Sequence, residues 1–451
     1  MLINYFFTSK NNKLILPIAV FVAGSRAYPV IAKVYYILPV LLLYFIVTGA
    51  KEIKLNKQLK RTVVLLLLFS CWSLITALWS SFPVITISRS LYFALISIGS
   101  LVGSYTYFKV KDNFDLNVFL PLNILIVALS LASLILNYPN EVWTGGNGKG
   151  FMGFAGHQNT LGALILFTIP ASVWGIAREF CGDAESRNKI NIKLILYFVL
   201  FALNLVILIL TYSRASIASL FLALAVWFVF VYKWKAAACY LVIAILTAGI
   251  LIVNPLIKNE VEKIALKKFP TLLSSREFLI KSSLIAAKHG GLFGLGYGIS
   301  DPNIILTGTG SHYAILGNSA TYKGNNAGTQ NEQAMYIREK GSSVLALIEE
   351  VGYVGLILFL LPITYVVIHL WFLVKSKLKI TKNIVQSNST LTINLLQLII
   401  SFLFAFIIHA QLEAWLVGVG SATLPLFFVY MGVGLTAIAL LFPIVYPPKV
   451  I

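Results

Sequence analysis

Repeated apolar runs of about 20 residues are the feature that most constrains how this chain can fold. A helix of that length crosses the hydrocarbon core of a bilayer, roughly 30 Å thick, with its backbone hydrogen bonds satisfied internally. We therefore predict an all-α, polytopic integral membrane protein with about 12 transmembrane helices. The predicted spans cover residues 14–30, 35–50, 62–79, 84–107, 115–136, 158–177, 190–211, 214–232, 236–254, 343–374, 390–410 and 422–445.

The composition supports a membrane protein. Of the 451 residues, 59% are hydrophobic and 11% are charged, whereas soluble domains contain about 25% charged residues. The formal net charge of +19 would indicate nucleic-acid binding in a soluble protein. We predict no nucleic-acid partner here, because the basic residues are sorted by side of the membrane.

Basic residues are concentrated in alternate connections between the predicted spans. These connections cover residues 51–61, 109–112, 178–193, 233–235 and 375–382. Cytoplasmic loops of membrane proteins carry an excess of lysine and arginine. We therefore predict that these connections and both termini lie in the cytoplasm, where the lysines can also meet anionic membrane lipids.

The same topology predicts three regions along the chain. Residues 1–254 contain helices 1–9 with short loops, and residues 343–451 contain helices 10–12. Between them, residues 255–342 form the long hydrophilic segment, which the topology places outside the membrane. Its first half has helical periodicity, and its second half is rich in Gly, Asn, Ser and Thr, which is typical of a flexible flap.

Arginines stand at the external ends of the apolar runs. Arg214 follows Tyr212 in "TYSRAS", at the junction of two spans, and Arg276 opens a predicted amphipathic helix in the external segment. A glycine-dense stretch that includes Gly296 follows that helix, and glycines let a backbone approach a ligand closely. Guanidinium groups suit bidentate binding of phosphate or pyrophosphate. Each arginine alone could instead be an interfacial or solvated side chain.

Further polar residues enter the spans at the same external end. His157 and Asn159 open span six, where they could cap the helix or contact a ligand. Glu349 and Glu350 lie about two turns inside span ten, where unpaired carboxylates are costly. These carboxylates either belong to the site or form a structural pair with an arginine, for which Arg89 near the outer end of span four is a candidate.

Four segments in order resemble the O-antigen ligase and O-antigen polymerase superfamily of bacterial membrane glycosyltransferases. They are "GFAGHQNTLGALILFTIPAS", "LTYSRASIASLFLAL", "SSREFLIKSSLIAAKHGGLFGLGYG" and "SSVLALIEEVGYVGLILF". The long external loop between spans nine and ten also resembles that family. The resemblance covers most of residues 60–440, and the ordered combination is more specific than any one segment.

The resemblance implies a GT-C-like fold in the bacterial cytoplasmic (inner) membrane. It implies a polyprenyl-diphosphate-linked glycan donor on the outer face, a glycan or lipid acceptor, and no metal, nucleotide sugar or other cofactor. The product would be a cell-surface polysaccharide such as O-antigen lipopolysaccharide, exopolysaccharide or capsule, made alongside other polysaccharide export components. The two paired arginines of the family map onto Arg214 and Arg276 of this chain.

One position departs from the family pattern. Ligases commonly carry a histidine–asparagine pair where this chain has Gly341 and Ser342. The general base must then be another group, for which His312, His289, Glu349 and Glu350 are candidates, or the reaction relies on activation of the leaving group. The predicted catalytic residues are Arg214, Arg276, Glu350 and His312, and the predicted substrate-binding residues are Arg89, His157, Asn159, Tyr212, Gly296 and Glu349.

Two other functional classes remain open at this point. Some members of the superfamily are linked to bicarbonate uptake, so a membrane transporter is one alternative. A non-catalytic polysaccharide assembly protein is the other, because the family histidine is missing. Within the enzyme class, the sequence does not separate a ligase from a polymerase.

Overall fold

The computed structural model describes residues 12–28, 31–110, 115–137, 150–181, 192–231, 274–301, 304–307, 314–317, 340–380, 387–416 and 418–445. In chain order, its helices and strands are α1 (Asn12–Ser25), α2 (Leu38–Leu55), α3 (Lys57–Ile75), α4 (Pro83–Val110), α5 (Leu120–Leu136), α6 (Gln158–Thr168), α7 (Pro170–Cys181), α8 (Ile192–Leu210), α9 (Arg214–Val231), α10 (Ser274–Gly290), β1 (Ile304–Thr307), β2 (Ala314–Gly317), α11 (Ser343–Ile380), α12 (Ser387–Leu412) and α13 (Thr423–Val445). Short 3-10 helices cover Ala32–Ile37, Thr76–Leu78, Leu116–Phe119 and Gly153–Ala155.

The predicted fold class, a polytopic all-helical membrane protein, is confirmed. Within the described residues, 10 helices are long and apolar enough to cross a membrane. The first predicted span forms a shorter apolar helix, Leu14–Ser25, and the predicted span at 236–254 lies outside the described residues. The total of about 12 spans and the GT-C-like arrangement therefore stay predictions.

Local sequence signals explain where several helices begin. Asn56 precedes α3, and its side-chain oxygen accepts a 2.7 Å hydrogen bond from the backbone N–H of Leu59, which satisfies one donor at the helix start. Pro39 and Pro121 lie in the first turn of α2 and α5, where the missing proline N–H costs no helical bond.

One small hairpin departs from helical structure in the described part of the hydrophilic segment. Strand β1 pairs with β2 in antiparallel register, with Ile304 opposite Gly317 and Thr307 opposite Ala314. The sequence indicated a partly helical segment followed by a flap and gave no strand signal here.

Helix α4 lies at the centre of the bundle, packed against α2 and α13. A methyl group built at Gly432 of α13 would lie 1.9 Å from Ser104 Oγ and 2.4 Å from the carbonyl oxygen of Leu101. Small residues allow membrane helices to approach this closely. This packing fixes α4, which carries Arg89 near its first turns, against the rest of the bundle.

A reciprocal amide pair joins α5 to α8. Asn123 and Asn204 are both fully buried, and each donates its amide N–H to the other's oxygen, at 3.0 and 2.9 Å. Asn123 also donates to the hydroxyl of Thr168 at 3.0 Å. Polar pairs of this kind join helices inside an apolar bundle, where a polar group without a partner is costly.

The connections that follow the odd-numbered predicted spans meet at one end of the bundle, which we call the site end. The indole of Trp79 donates to the carbonyl of Gly294 at 2.9 Å, and the hydroxyl of Tyr35 donates to the carbonyl of Val419 at 3.3 Å. The side of the membrane that the site end faces stays a prediction.

The opposite end carries ion pairs between the connections that follow the even-numbered predicted spans, which are the ones rich in lysine and arginine. Arg178 pairs with Asp115 at 2.8 Å, and Lys109 pairs with Glu52. Partly exposed pairs of this kind contribute about 0–1 kcal/mol each.

We predict that Asn204→Leu destabilises the protein by about 1–3 kcal/mol, because it leaves the Asn123 oxygen buried without its amide donor. Thermal unfolding in detergent micelles measures the effect. The double substitution Asn123→Leu and Asn204→Leu should recover most of the loss. A double variant as unstable as the sum of the two single variants would contradict the pairing.

Candidate active site

Helix α11 is broken at Gly352, and this break organises the site end. Gly352 has φ 72° and ψ −177°, so the helical hydrogen bonds around it are interrupted. The freed carbonyls of Glu349 and Glu350 accept hydrogen bonds from the backbone N–H groups of Leu295 and Gly296, both at 2.9 Å. The segment 290–301, which we call the glycine loop, therefore supplies hydrogen bonds that the next turn of an unbroken helix would have made.

The glycine loop also satisfies the other side of the break. The N–H of Tyr353 donates to the carbonyl of Gly291 at 3.1 Å, and that of Val354 donates to the carbonyl of Leu292 at 3.3 Å. A methyl group at Gly352 would lie 2.1 Å from the Leu292 oxygen. The close approach and the positive φ both require glycine at this position.

The side chains of Glu349 and Glu350 fasten the end of the glycine loop. Glu350 accepts from the Gly298 N–H at 2.7 Å and from Lys340 Nζ at 2.5 Å. Glu349 accepts from the Asp301 N–H at 2.8 Å, and Lys340 Nζ lies 3.3 Å from its second oxygen. Both carboxylates lie beside the buried Lys340 ammonium, and among the described residues Arg89 forms no ion pair with either of them. Their pairing with another arginine stays a prediction.

A cavity of about 460 Å³ opens beside this cluster. It brings together four of the predicted site residues, Arg89, His157, Asn159 and Glu350. The other described lining residues are Thr160, Ala163, Gly298, Ser300, Lys340, His409, Glu413, Ala414, Trp415, Gly418, Val419, Gly420, Ser421, Ala422 and Thr423.

Arg89 reaches the glycine loop rather than a carboxylate. Its Nη1 donates to the carbonyl of Gly298 at 2.5 Å. Burial raises the pKa of the neighbouring Tyr297 hydroxyl well above its ordinary value, Glu350 raises it further, and Arg89 opposes the shift. Tyr297 therefore stays protonated at neutral pH and cannot serve as a base.

His157 has the capping role that its position suggested. Its Nδ1 accepts from the backbone N–H of Asn159 at 3.3 Å at the start of α6. An Nδ1 that accepts this hydrogen bond is unprotonated, so the neutral ring carries its proton on Nε2. Because both residues also line the cavity, capping and ligand contact are compatible here.

His409 is a cavity residue that the sequence analysis missed. It is fully buried; its Nδ1 accepts from the Trp415 indole at 2.8 Å, and its Nε2 lies 2.9 Å from Ser216 Oγ. Since an indole can only donate, the neutral ring carries its proton on Nε2 and donates to Ser216. A histidine near the end of an apolar run was the available signal, because ionisable residues in membrane spans are often functional.

The start of α9 is connected to the cavity through His409. Ser216 lies 2.9 Å from Ser213, which immediately precedes Arg214, the first residue of α9. Tyr212 has φ 53°, an uncommon left-handed conformation for a residue with a side chain. Neither Tyr212 nor Arg214 is among the described residues that line the cavity.

Gly296 acts through its backbone. With φ 121°, it packs so closely that an added methyl group would lie 2.4 Å from Ser80 Oγ. Gly296 is not among the described lining residues, and its role is to pack the glycine loop against the start of α4 and the turn before it.

The remaining predicted residues fall elsewhere. Arg276 belongs to α10, but its side chain lies outside the described part of the structure, as does the whole of His312. His289, at the end of α10, pairs with Asp301 through Nδ1 and is not among the described cavity residues. Within the described ranges, no group of three or more His, Cys, Asp or Glu residues is placed to hold a metal ion.

A comparison with protein families gives a match to part of the chain. A family model described as O-antigen ligase matches residues 199–360. The match supports membership of the O-antigen ligase/polymerase superfamily. It spans the start of α9, helix α10, the glycine loop and the broken part of α11, and a search of curated proteins finds no match. The chain is thus a multi-pass membrane protein, just over a third of which is similar to O-antigen ligases.

We predict that Lys340→Met lowers the free energy of unfolding by about 3–5 kcal/mol, because it removes the ammonium group beside the buried Glu349 and Glu350. Lys109→Met is the matched control, since it breaks the more exposed pair with Glu52 and should cost about 0–1 kcal/mol. Unfolding of both variants in the same detergent measures the difference. Equal stabilities would show that Lys340 is not an essential part of the cluster.

Proposed function

We propose that this O-antigen ligase-type protein is a metal-independent glycosyltransferase in cell-surface polysaccharide biosynthesis. It would transfer or polymerise glycan from a polyprenyl-diphosphate-linked donor on the outer face of the bacterial cytoplasmic membrane. The observation that carries the proposal is the polar cavity at the site end, lined by Arg89 together with Lys340 and Glu350 of the family-matched segment. A polar cavity with an arginine on its wall, above an apolar bundle, fits a ligand with a diphosphate head and an isoprenoid tail.

The proposed reaction is a displacement at the anomeric carbon of the donor glycan. An acceptor hydroxyl forms the new glycosidic bond as the bond to the diphosphate oxygen breaks, and polyprenyl diphosphate leaves. Charge develops on that leaving group, where arginines stabilise it most effectively. We assign this part to Arg214 and Arg276, which match the family's paired arginines, with Arg89 on the cavity wall.

The attacking hydroxyl must give its proton to a base, and the two cavity histidines, His157 and His409, are poorly suited to accept it. In each neutral ring Nδ1 already accepts a hydrogen bond, so Nε2 carries the proton. The Nε2–H of His157 on the cavity wall can instead donate to an oxygen of sugar or phosphate, whereas Nε2 of His409 donates to Ser216. The candidate bases from the sequence, His289, His312, Glu349 and Glu350, stay predictions.

The break in α11 does not favour a transporter. Transporters use broken helices to present free backbone groups to substrates and ions. Here the carbonyls of Glu349 and Glu350 and the N–H groups of Tyr353 and Val354 bond to the glycine loop. The break therefore holds a loop in place.

The direct test uses purified protein in liposomes with a defined polyprenyl-diphosphate oligosaccharide, with and without a lipid acceptor. A ladder of longer glycans on the carrier would indicate a polymerase, and glycan on the acceptor would indicate a ligase. Arg214→Lys should lower the rate by about 100-fold, because it keeps the charge but loses bidentate geometry. Arg61→Lys, at an exposed residue, is the matched control and should be fully active. Full activity of Arg214→Lys, or an unchanged donor with the wild-type protein, would contradict the proposal.

A further inference from the structure

We propose that Arg26 forms a second anion-binding subsite at the rim of the cavity, which takes a phosphate or carboxylate group of the acceptor. This inference rests on the proposed glycosyl transfer. It differs from the donor site because Arg26 belongs to the turn after α1, on the side of the cavity formed by residues 418–423. Neither the family match nor the donor-binding arginines include it.

The position of Arg26 is fixed by an aromatic ring. The turn after α1 is closed by hydrogen bonds from the Ala27 N–H to the Gly24 carbonyl and from the Tyr28 N–H to the Ser25 carbonyl. The guanidinium carbon lies 5.2 Å from the centroid of the Tyr35 ring. A guanidinium over a tyrosine face is held by cation–π attraction, which orders an otherwise mobile side chain.

The same tyrosine connects Arg26 to the cavity wall. Tyr35 is buried, and its hydroxyl donates to the carbonyl of Val419 at 3.3 Å. Val419 and Gly420 both line the cavity, and a methyl group built at Gly420 would lie 3.8 Å from Nη2 of Arg26. The guanidinium therefore reaches the edge of the cavity, where glycine leaves the approach open.

The guanidinium of Arg26 has different neighbours from the two cationic groups that line the cavity. Lys340 is compensated by two carboxylates, and Arg89 is committed to the carbonyl of Gly298. In the part of the chain that the structure describes, no carboxylate lies within ion-pair distance of Arg26, and the side chain is exposed. A guanidinium stacked on a ring keeps its N–H edges available for in-plane contact with an oxyanion.

An interfacial arginine could also meet the phosphate of a membrane lipid. The chemistry of that contact is the same, so the two sources must be separated by experiment. The position against Val419 and Gly420 favours the acceptor, because a side chain that only seeks headgroups has no reason to lie against the cavity wall.

The test compares binding of one oligosaccharide in its phosphorylated and unphosphorylated forms. Isothermal titration calorimetry is performed on the full-length protein in nanodiscs of phosphatidylcholine. Arg26→Gln should weaken binding of the phosphorylated form about 10-fold, and leave the unphosphorylated form unchanged. Arg26→Lys should show part of the loss, because the charge remains without the planar fork.

Lys33→Gln is the matched control, since it removes the same charge from an exposed residue at the same end of the bundle. It should leave both affinities unchanged. An equal loss for both sugar forms in Arg26→Gln, or an equal loss in Lys33→Gln, would overturn the subsite.

Nanodiscs that contain phosphatidylglycerol separate the two sources of phosphate. If the acceptor occupies the subsite, added phosphatidylglycerol leaves the Arg26-dependent difference in place. If the anionic lipid abolishes that difference, Arg26 binds headgroups and the proposal is wrong. Because binding is measured without turnover, Arg26-dependent binding together with absent glycan transfer would refute the proposed function while the anion subsite stands.

Discussion

The broken helix at Gly352 is the constraint on which the site depends. Backbone groups in apolar surroundings must find hydrogen-bond partners, so a break inside a membrane helix has to be met by another segment. The glycine loop meets it by pairing with the carbonyls of Glu349 and Glu350. That pairing carries Gly298 to Arg89, which is how a break in one helix positions a cation on another.

Buried charge completes the same arrangement. Lys340 lies between two carboxylates that also bind backbone N–H groups of the glycine loop. Such clusters are costly unless every member is bonded. Their benefit here is geometric, since one lysine ties α11 to the loop. Because the charge of Lys340 is paired with these carboxylates, we assign the binding of an anionic ligand to arginines.

Much of the architecture could be predicted, because long apolar runs and the sorting of lysine and arginine are local properties of the chain. The site was predicted in part: Arg89, His157, Asn159 and Glu350 share the cavity. The break at Gly352 could not be predicted, since a glycine in an apolar run is also common in unbroken membrane helices. The contact of Glu349 and Glu350 with Lys340 could not be predicted either. It depends on how the chain before α11 folds back, which the periodicity of the sequence does not indicate.

If the proposed function is right, the cavity beside the glycine loop binds the diphosphate of a lipid-linked glycan. Cryo-electron microscopy of the protein in nanodiscs with a polyprenyl-diphosphate oligosaccharide tests this binding. We expect diphosphate density at the site end, between Arg89 and the start of α9, with the isoprenoid chain leaving toward the bilayer. Density at the opposite end, beside Arg178 and Asp115, with an empty cavity, would contradict it.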